Sequence, residues 1–205
     1  MTRALASLLL ISSVVLCQQP QNPSPMVEHA REHPRLTKQT PSGRRVKLEL
    51  GTLFLPQKIR LKSHSAHVSL LVFFHGGEWL PEVAAASQKN LAVVTVQGSA
   101  GSGSYAKLFA DSLRFSRLIA EAGSAAGVTF DRIELGGWSA GCGGIRQILQ
   151  YSASYQRVSR VLCIDGIHTG YPSGKPGPAE SRIDPENLQI YVSFARDAIA
   201  KKKRL

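Results

Sequence analysis

The sequence predicts an α/β fold, a mostly parallel sheet with helices on both faces, and three observations predict it. Residues 68–74 and 91–96 are continuous apolar runs of strand length, the pattern of strands buried on both faces. Stretches with helical apolar spacing alternate with such runs along the chain, as expected for parallel strands joined by crossover helices. A chain of 205 residues, 43% hydrophobic and 19% charged, has the composition of one ordinary globular domain.

Each element follows from its residues. Residues 46–55, with Leu48, Leu50, Leu53 and Leu55, read as an antiparallel strand pair or one long strand interrupted at Gly51. The two apolar runs come next. Over 105–122, Leu108, Phe109, Leu113, Phe115, Leu118 and Ile119 recur at helical spacing. Residues 131–136 form a short strand, 139–151 a helix, and 158–164 a buried strand ending at Asp165. The segment 185–203 is predicted helical, because Asp184 suits an N-cap, Pro185 the first helical position, and Leu188, Tyr191, Val192, Ala195 and Ile199 follow i, i+3, i+4 spacing. Lysines 201–203 fall at its C-terminal end, where positive charge complements the helix dipole. That phase sets Asp197 opposite the apolar stripe, toward solvent.

Residues 1–17 read as a signal peptide: Arg3 supplies a positive start, and residues 4–16 are apolar but too short to span a bilayer. Cleavage after Cys17 places Val15 and Cys17 at the −3 and −1 positions. Lipidation of Cys17 is the second reading, disfavoured by the bulk of Leu16, and a retained anchor the third. Residues 18–45 are a polar linker rich in Pro, Gln, His and Arg, and 46–205 the folded domain. The expected location is therefore secreted or periplasmic, with membrane attachment only if the N-terminal segment is retained or Cys17 is lipidated. The net charge of +11 is spread along the chain, without the aromatic-interleaved basic face that nucleic acid requires, so no nucleic-acid partner is expected. Cys142 and Cys163 fit no zinc spacing. An oxidising compartment would permit a bond between them, but they read better as small packing residues.

The chemistry centres on Gly137-Trp138-Ser139-Ala140-Gly141, a G-x-S-x-G run between a predicted strand and a predicted helix. A turn that tight presses the positions two before and two after the serine against neighbouring backbone, so both need glycine. It holds the serine in strained dihedrals with its hydroxyl exposed above the sheet. A second motif, His75-Gly76-Gly77, follows the strand at 68–74. Glycine there lets a substrate oxygen approach main-chain amides.

With LLVFFHGG at 70–77, IELGGWSAG at 133–141 and VLCID at 161–165, the chain resembles the α/β-hydrolase fold superfamily from about residue 46 to its C-terminus. The resemblance implies an exported serine hydrolase that cleaves a carboxylic ester, small or polymeric, through an acyl-enzyme, without cofactor or metal. It implies Ser139 as nucleophile and the amides of Gly76, Gly77 and Ala140 as oxyanion donors. Asp165, at the carboxyl end of a strand, is the acid, with Asp197 the alternative. In that fold the base arrives last, yet no histidine follows His168. His168 lies three residues after Asp165 and is a poor fit by order, although geometry rather than order defines a triad. The last strand and the histidine loop of the fold are accordingly expected to be missing from these 205 residues, leaving an apolar sheet edge. Two other readings stand beside the esterase: a non-catalytic binding protein of the same fold, and an extracellular peptidase or polymer depolymerase. The glycine- and serine-rich segment 98–104 lacks the P-loop lysine and reads as a flexible loop at the mouth of the site, and 171–181 as an ordinary connection or short lid.

Overall fold

Six strands hydrogen-bond into one sheet: β1 (Gly43–Leu48), β2 (Gly51–Pro56), β3 (Ser69–Phe74), β4 (Leu91–Val96), β5 (Arg132–Trp138) and β6 (Val158–Ile164). Their order across the sheet is β1-β2-β4-β3-β5-β6. The hairpin β1–β2 and the pair β2–β4 are antiparallel, and the remaining pairs are parallel. These coordinates, a computed structural model, describe residues 37–59, 67–99, 101–167, 169 and 183–205. The signal segment at 1–17, most of the linker, His168 and the loop at 171–181 lie outside the described residues. The unit that holds the sheet runs over Lys38–Leu205, and β1 begins at Gly43, three residues before the expected start.

The helices are α1 (Trp79–Ser87), α2 (Ser102–Leu108), α3 (Arg114–Ala126), α4 (Cys142–Leu149), α5 (Ser152–Arg157) and α6 (Glu186–Ile199). One face of the sheet presents Leu53, Leu70, Val72, Val94 and Leu135 to Phe115 and Ile119 of α3, Ile145 and Ile148 of α4, and Phe194 of α6. Each such side chain contributes about 1.5–3 kcal/mol on burial. This packing, rather than propensity, holds α2 and α5, since helices of fewer than about 12 residues are marginal alone. On the other face α1 packs Ala85 against Phe54, Leu91 and Val93. Its buried Glu82 accepts a hydrogen bond from Arg45 of β1 at 2.9 Å, and that guanidinium lies 4.7 Å from the centre of the Phe54 ring.

Three elements depart from the expectations. The segment 105–122 is two helices, because the Asp111 carboxylate accepts the Leu113 amide at 2.9 Å and pairs with Arg117, starting a new helix at Arg114. The break lets Phe109 and Phe115 meet edge to face at 6.3 Å. Segment 98–104 is not wholly loop: residues 102–104 form the first turn of α2, with the Ser104 hydroxyl donating to the Gly101 carbonyl at 2.8 Å. Helix α6 stops at Ile199, because Lys201 takes a left-handed conformation (φ 58°) and the amides of Lys202 and Lys203 turn back onto the Asp197 carbonyl.

After that turn Arg204 bridges β6 in parallel, its amide donating to Ser159 at 2.9 Å and its carbonyl accepting from Val161 at 3.1 Å. The face of β6 turned away from α4 leaves Leu162 and Ile164 exposed at 53% and 41%, an apolar border to the sheet.

Candidate active site

The strand β5 runs into α4 through a single turn of 3-10 helix, Ser139–Gly141. Ser139 sits at φ 43°, half-buried, in the left-handed region that costs a non-glycine residue about 1–2 kcal/mol. The flanking glycines explain why the chain tolerates it. A Cβ on Gly137 would lie 3.0 Å from the Gly141 carbonyl carbon, and one on Gly141 would lie 2.3 Å from the Phe74 carbonyl oxygen. Helix and strand thus approach across the turn more closely than any side chain permits.

Beyond β3 the chain bends through two successive left-handed residues, His75 (φ 66°) and Gly76 (φ 89°). The His75 Nδ1 is 2.9 Å from the hydroxyl of buried Tyr105, which fixes the ring as part of the loop. Gln97, just past β4, donates its side-chain amide to the Gly76 carbonyl at 2.9 Å. Because the peptide is planar and trans, the Gly77 N–H points the opposite way. β4 and β5 flank β3 on opposite sides, and Ser139 follows β5 directly. Neither the Gly76 nor the Gly77 amide donates to another described residue. A cleft of about 500 Å³ between residues 38–40, Arg45 and the start of α1 reaches Gly77 of this loop but is not lined by Ser139 or Asp165.

Asp165 terminates β6 at φ 54° and is exposed. Its carboxylate accepts the indole N–H of Trp138 at 3.2 Å, which ties it to the residue preceding Ser139. The same indole side chain lies over Gly76, where a Cβ would meet it at 3.5 Å. Ser139, Asp165, Ala140 and the 75–77 loop therefore gather at the carboxyl ends of the parallel strands. Asp197 does not join them. It is half-buried rather than solvent-facing, accepts the Tyr155 hydroxyl at 2.8 Å, and lies near the opposite end of β6, where Lys203 donates to Val158. Burial and this hydrogen bond push the Tyr155 phenol up to about 12. Among the described histidines, exposed His67 pairs with Asp131 at 3.0 Å ahead of β5, on the side of the sheet away from Ser139.

Directly beneath the turn sit two free thiols. The buried Cys142 Sγ donates to the Gly137 carbonyl at 3.6 Å, and Cys163 is the ladder partner of Gly137. A hydrogen bond to Cys163, with burial, pushes the Cys142 thiol up. The neighbouring Cys142, and after it Tyr191, hold the Cys163 thiol below its ordinary value, against burial. The Tyr191 hydroxyl donates its proton to the Cys142 carbonyl at 2.8 Å. Among the described residues no group of three or more His, Cys, Asp or Glu side chains is placed to hold a metal ion. Sequence reasoning did not anticipate Gln97, Tyr105 or the Trp138 contact with Asp165, since each depends on which strands become neighbours.

No family model and no curated protein matches the chain. Among solved structures it is similar to one titled as the structure of Francisella virulence factor BioJ, at 15% identity and a TM-score of 0.41. That similarity covers 68% of this chain and 49% of the other, so the chain spans about half the length of the structure it matches.

Proposed function

We propose that this chain is a serine hydrolase acting on carboxylic esters, with Ser139 as nucleophile. The observation that carries the reading is the left-handed Ser139 on a strand-to-helix turn whose two flanking glycines leave no room for a Cβ. Strain of this kind persists where the surrounding structure imposes it, and it clusters at functional sites.

In this reading the Ser139 Oγ attacks the ester carbonyl carbon while a histidine accepts its proton. The developing oxyanion is held by the amides of Ala140 and of Gly77 or Gly76. Collapse expels the alcohol, which takes the proton from the imidazolium, and water then repeats the sequence on the acyl-enzyme. Asp165 orients the imidazolium, and His168, three residues on, is the one histidine after Ser139 in these 205 residues and so the candidate the test addresses. Each oxyanion donor is worth about 2.7–4 kcal/mol in the transition state. On the residues at 1–17 the same reading places the protein outside the cytoplasm, acting on small or polymeric esters.

The test is covalent labelling of the full chain with a fluorophosphonate probe, together with turnover of a short-chain aryl ester. Labelling on Ser139 that Ser139→Ala removes, with turnover lost in His168→Ala, is the expected result. A folded wild-type protein that takes no label would defeat the esterase reading in favour of a binding protein. Labelling with full turnover in His168→Ala would move the base elsewhere.

A further inference from the structure

We propose that Cys142 and Cys163 are a reversible oxidation site, a dithiol that closes to a disulfide beneath the Ser139 turn. The inference is independent of the hydrolase reading. The ladder and the turn place the sulfurs together. Gly137 and Cys163 are partners across the β5–β6 ladder, so their Cα atoms lie about 4.8 Å apart. The Cys142 amide nitrogen is 3.3 Å from where a Gly137 Cβ would stand, and its Sγ reaches the Gly137 carbonyl at 3.6 Å. Each thiol is the strongest influence on the ionisation of the other, as expected of close neighbours. Cys142 is buried and Cys163 packs against the core cluster that holds Tyr191 of α6, whose hydroxyl donates to the Cys142 carbonyl at 2.8 Å.

The environment assigns the two sulfurs different parts. Cys163 is half-buried, on the border strand of the sheet, so it is the sulfur an oxidant reaches first. Cys142 is 1% exposed, and its Sγ–H is directed to the Gly137 carbonyl. With a low-molecular-weight disulfide such as glutathione disulfide as oxidant, the Cys163 thiolate attacks one sulfur and expels one glutathione thiolate. Cys142 then loses its proton to solvent and attacks the Cys163 sulfur, expelling the second glutathione. The dithiol loses two protons and two electrons, and the oxidant takes them up as two thiols. The product clamps the start of α4 to the strand that ends at Asp165, so the turn and the candidate acid are bridged covalently.

The experiment incubates the full-length chain with glutathione disulfide, then maps peptides by mass spectrometry and measures Tm before and after. The expected product is a Cys142–Cys163 linked peptide, reversed by dithiothreitol, with Tm raised by roughly 5–10 °C for a loop of this size. Cys142→Ser should instead accumulate glutathione on Cys163, because nothing resolves the mixed disulfide. Two free thiols after treatment, or wild-type protein that retains glutathione on Cys163, would overturn the proposal. Since the linked peptide is sought in the wild type, misfolding of the variant leaves the test intact.

Discussion

Replacing Ser139 with glycine separates strain from chemistry. At φ 43° the serine pays about 1–2 kcal/mol that glycine does not, while glycine adds about 0.5–1 kcal/mol of unfolded-state entropy. The net expectation is that Ser139→Gly stabilises the fold by about 0–1.5 kcal/mol, a rise in Tm of up to roughly 6 °C for a chain of this size. Ser139→Ala retains its Cβ and the same strained dihedrals, so its stability should match the wild type. Both variants should lose ester turnover by roughly 10⁴-fold or more, as removal of a nucleophile does. Differential scanning calorimetry on the three proteins, with aryl ester turnover alongside, makes the comparison. If Ser139→Gly proves less stable than Ser139→Ala, the strain argument is wrong. If it retains turnover, the nucleophile lies elsewhere.

Other consequences follow from neighbouring contacts. Gly141→Ala drives a methyl to 2.3 Å from the Phe74 carbonyl oxygen, so β3 and the turn must part by about 1 Å. Overpacking of this kind costs about 1–3 kcal/mol and should lower Tm by roughly 4–10 °C. Gly103→Ala, where a Cβ meets nothing within 4 Å, serves as the control and should be neutral or slightly stabilising. Gln97→Leu frees the Gly76 carbonyl and with it the aim of the Gly77 amide. Steady-state kinetics should show kcat down roughly 10-fold at nearly constant KM, less than the 10²–10³ lost with a donor itself. Tyr155, pushed up to about 12 from its ordinary value of 10, favours its neutral form in the folded state. Its contribution is therefore complete below pH 10 and lost as pH rises toward 12. As the phenol is partly solvated the effect should stay under about 1 kcal/mol, and Tyr155→Phe should flatten the denaturation midpoint across that window.

β4 was legible because burial on both faces writes a continuous apolar run, and it begins and ends where that run does, whereas β6, expected to be buried, covers the expected residues but leaves Leu162 and Ile164 exposed. Helix α6 shows how far periodicity reaches. Its existence and direction followed from spacing, but its buried positions are Tyr191 and Phe194, with Val192 and Ile199 exposed. The stripe is displaced by one residue, about 100° around the axis, enough to turn Asp197 from solvent onto Tyr155. Helix α1 left little trace because only a few of its residues are buried, and one of them is a glutamate answered by Arg45 on a distant strand.

The candidate site divides along the same line. Its backbone half could be read directly, since a turn too tight for a Cβ demands glycine at fixed offsets from the serine, and the chain carries Gly137 and Gly141 where the Cβ contacts require them. Its side-chain half could not, because the partnerships are set by strand register. Trp138 reaches Asp165 because Trp138 pairs with Ile164, and Cys142 reaches Cys163 because Cys163 pairs with Gly137. One displacement of β6 along β5 would break both contacts and exchange the faces of its side chains. The register that brings the candidate acid to the turn therefore also brings the two thiols together beneath it. A linked Cys142–Cys163 peptide would accordingly report on the placement of Asp165 as well as on the thiols.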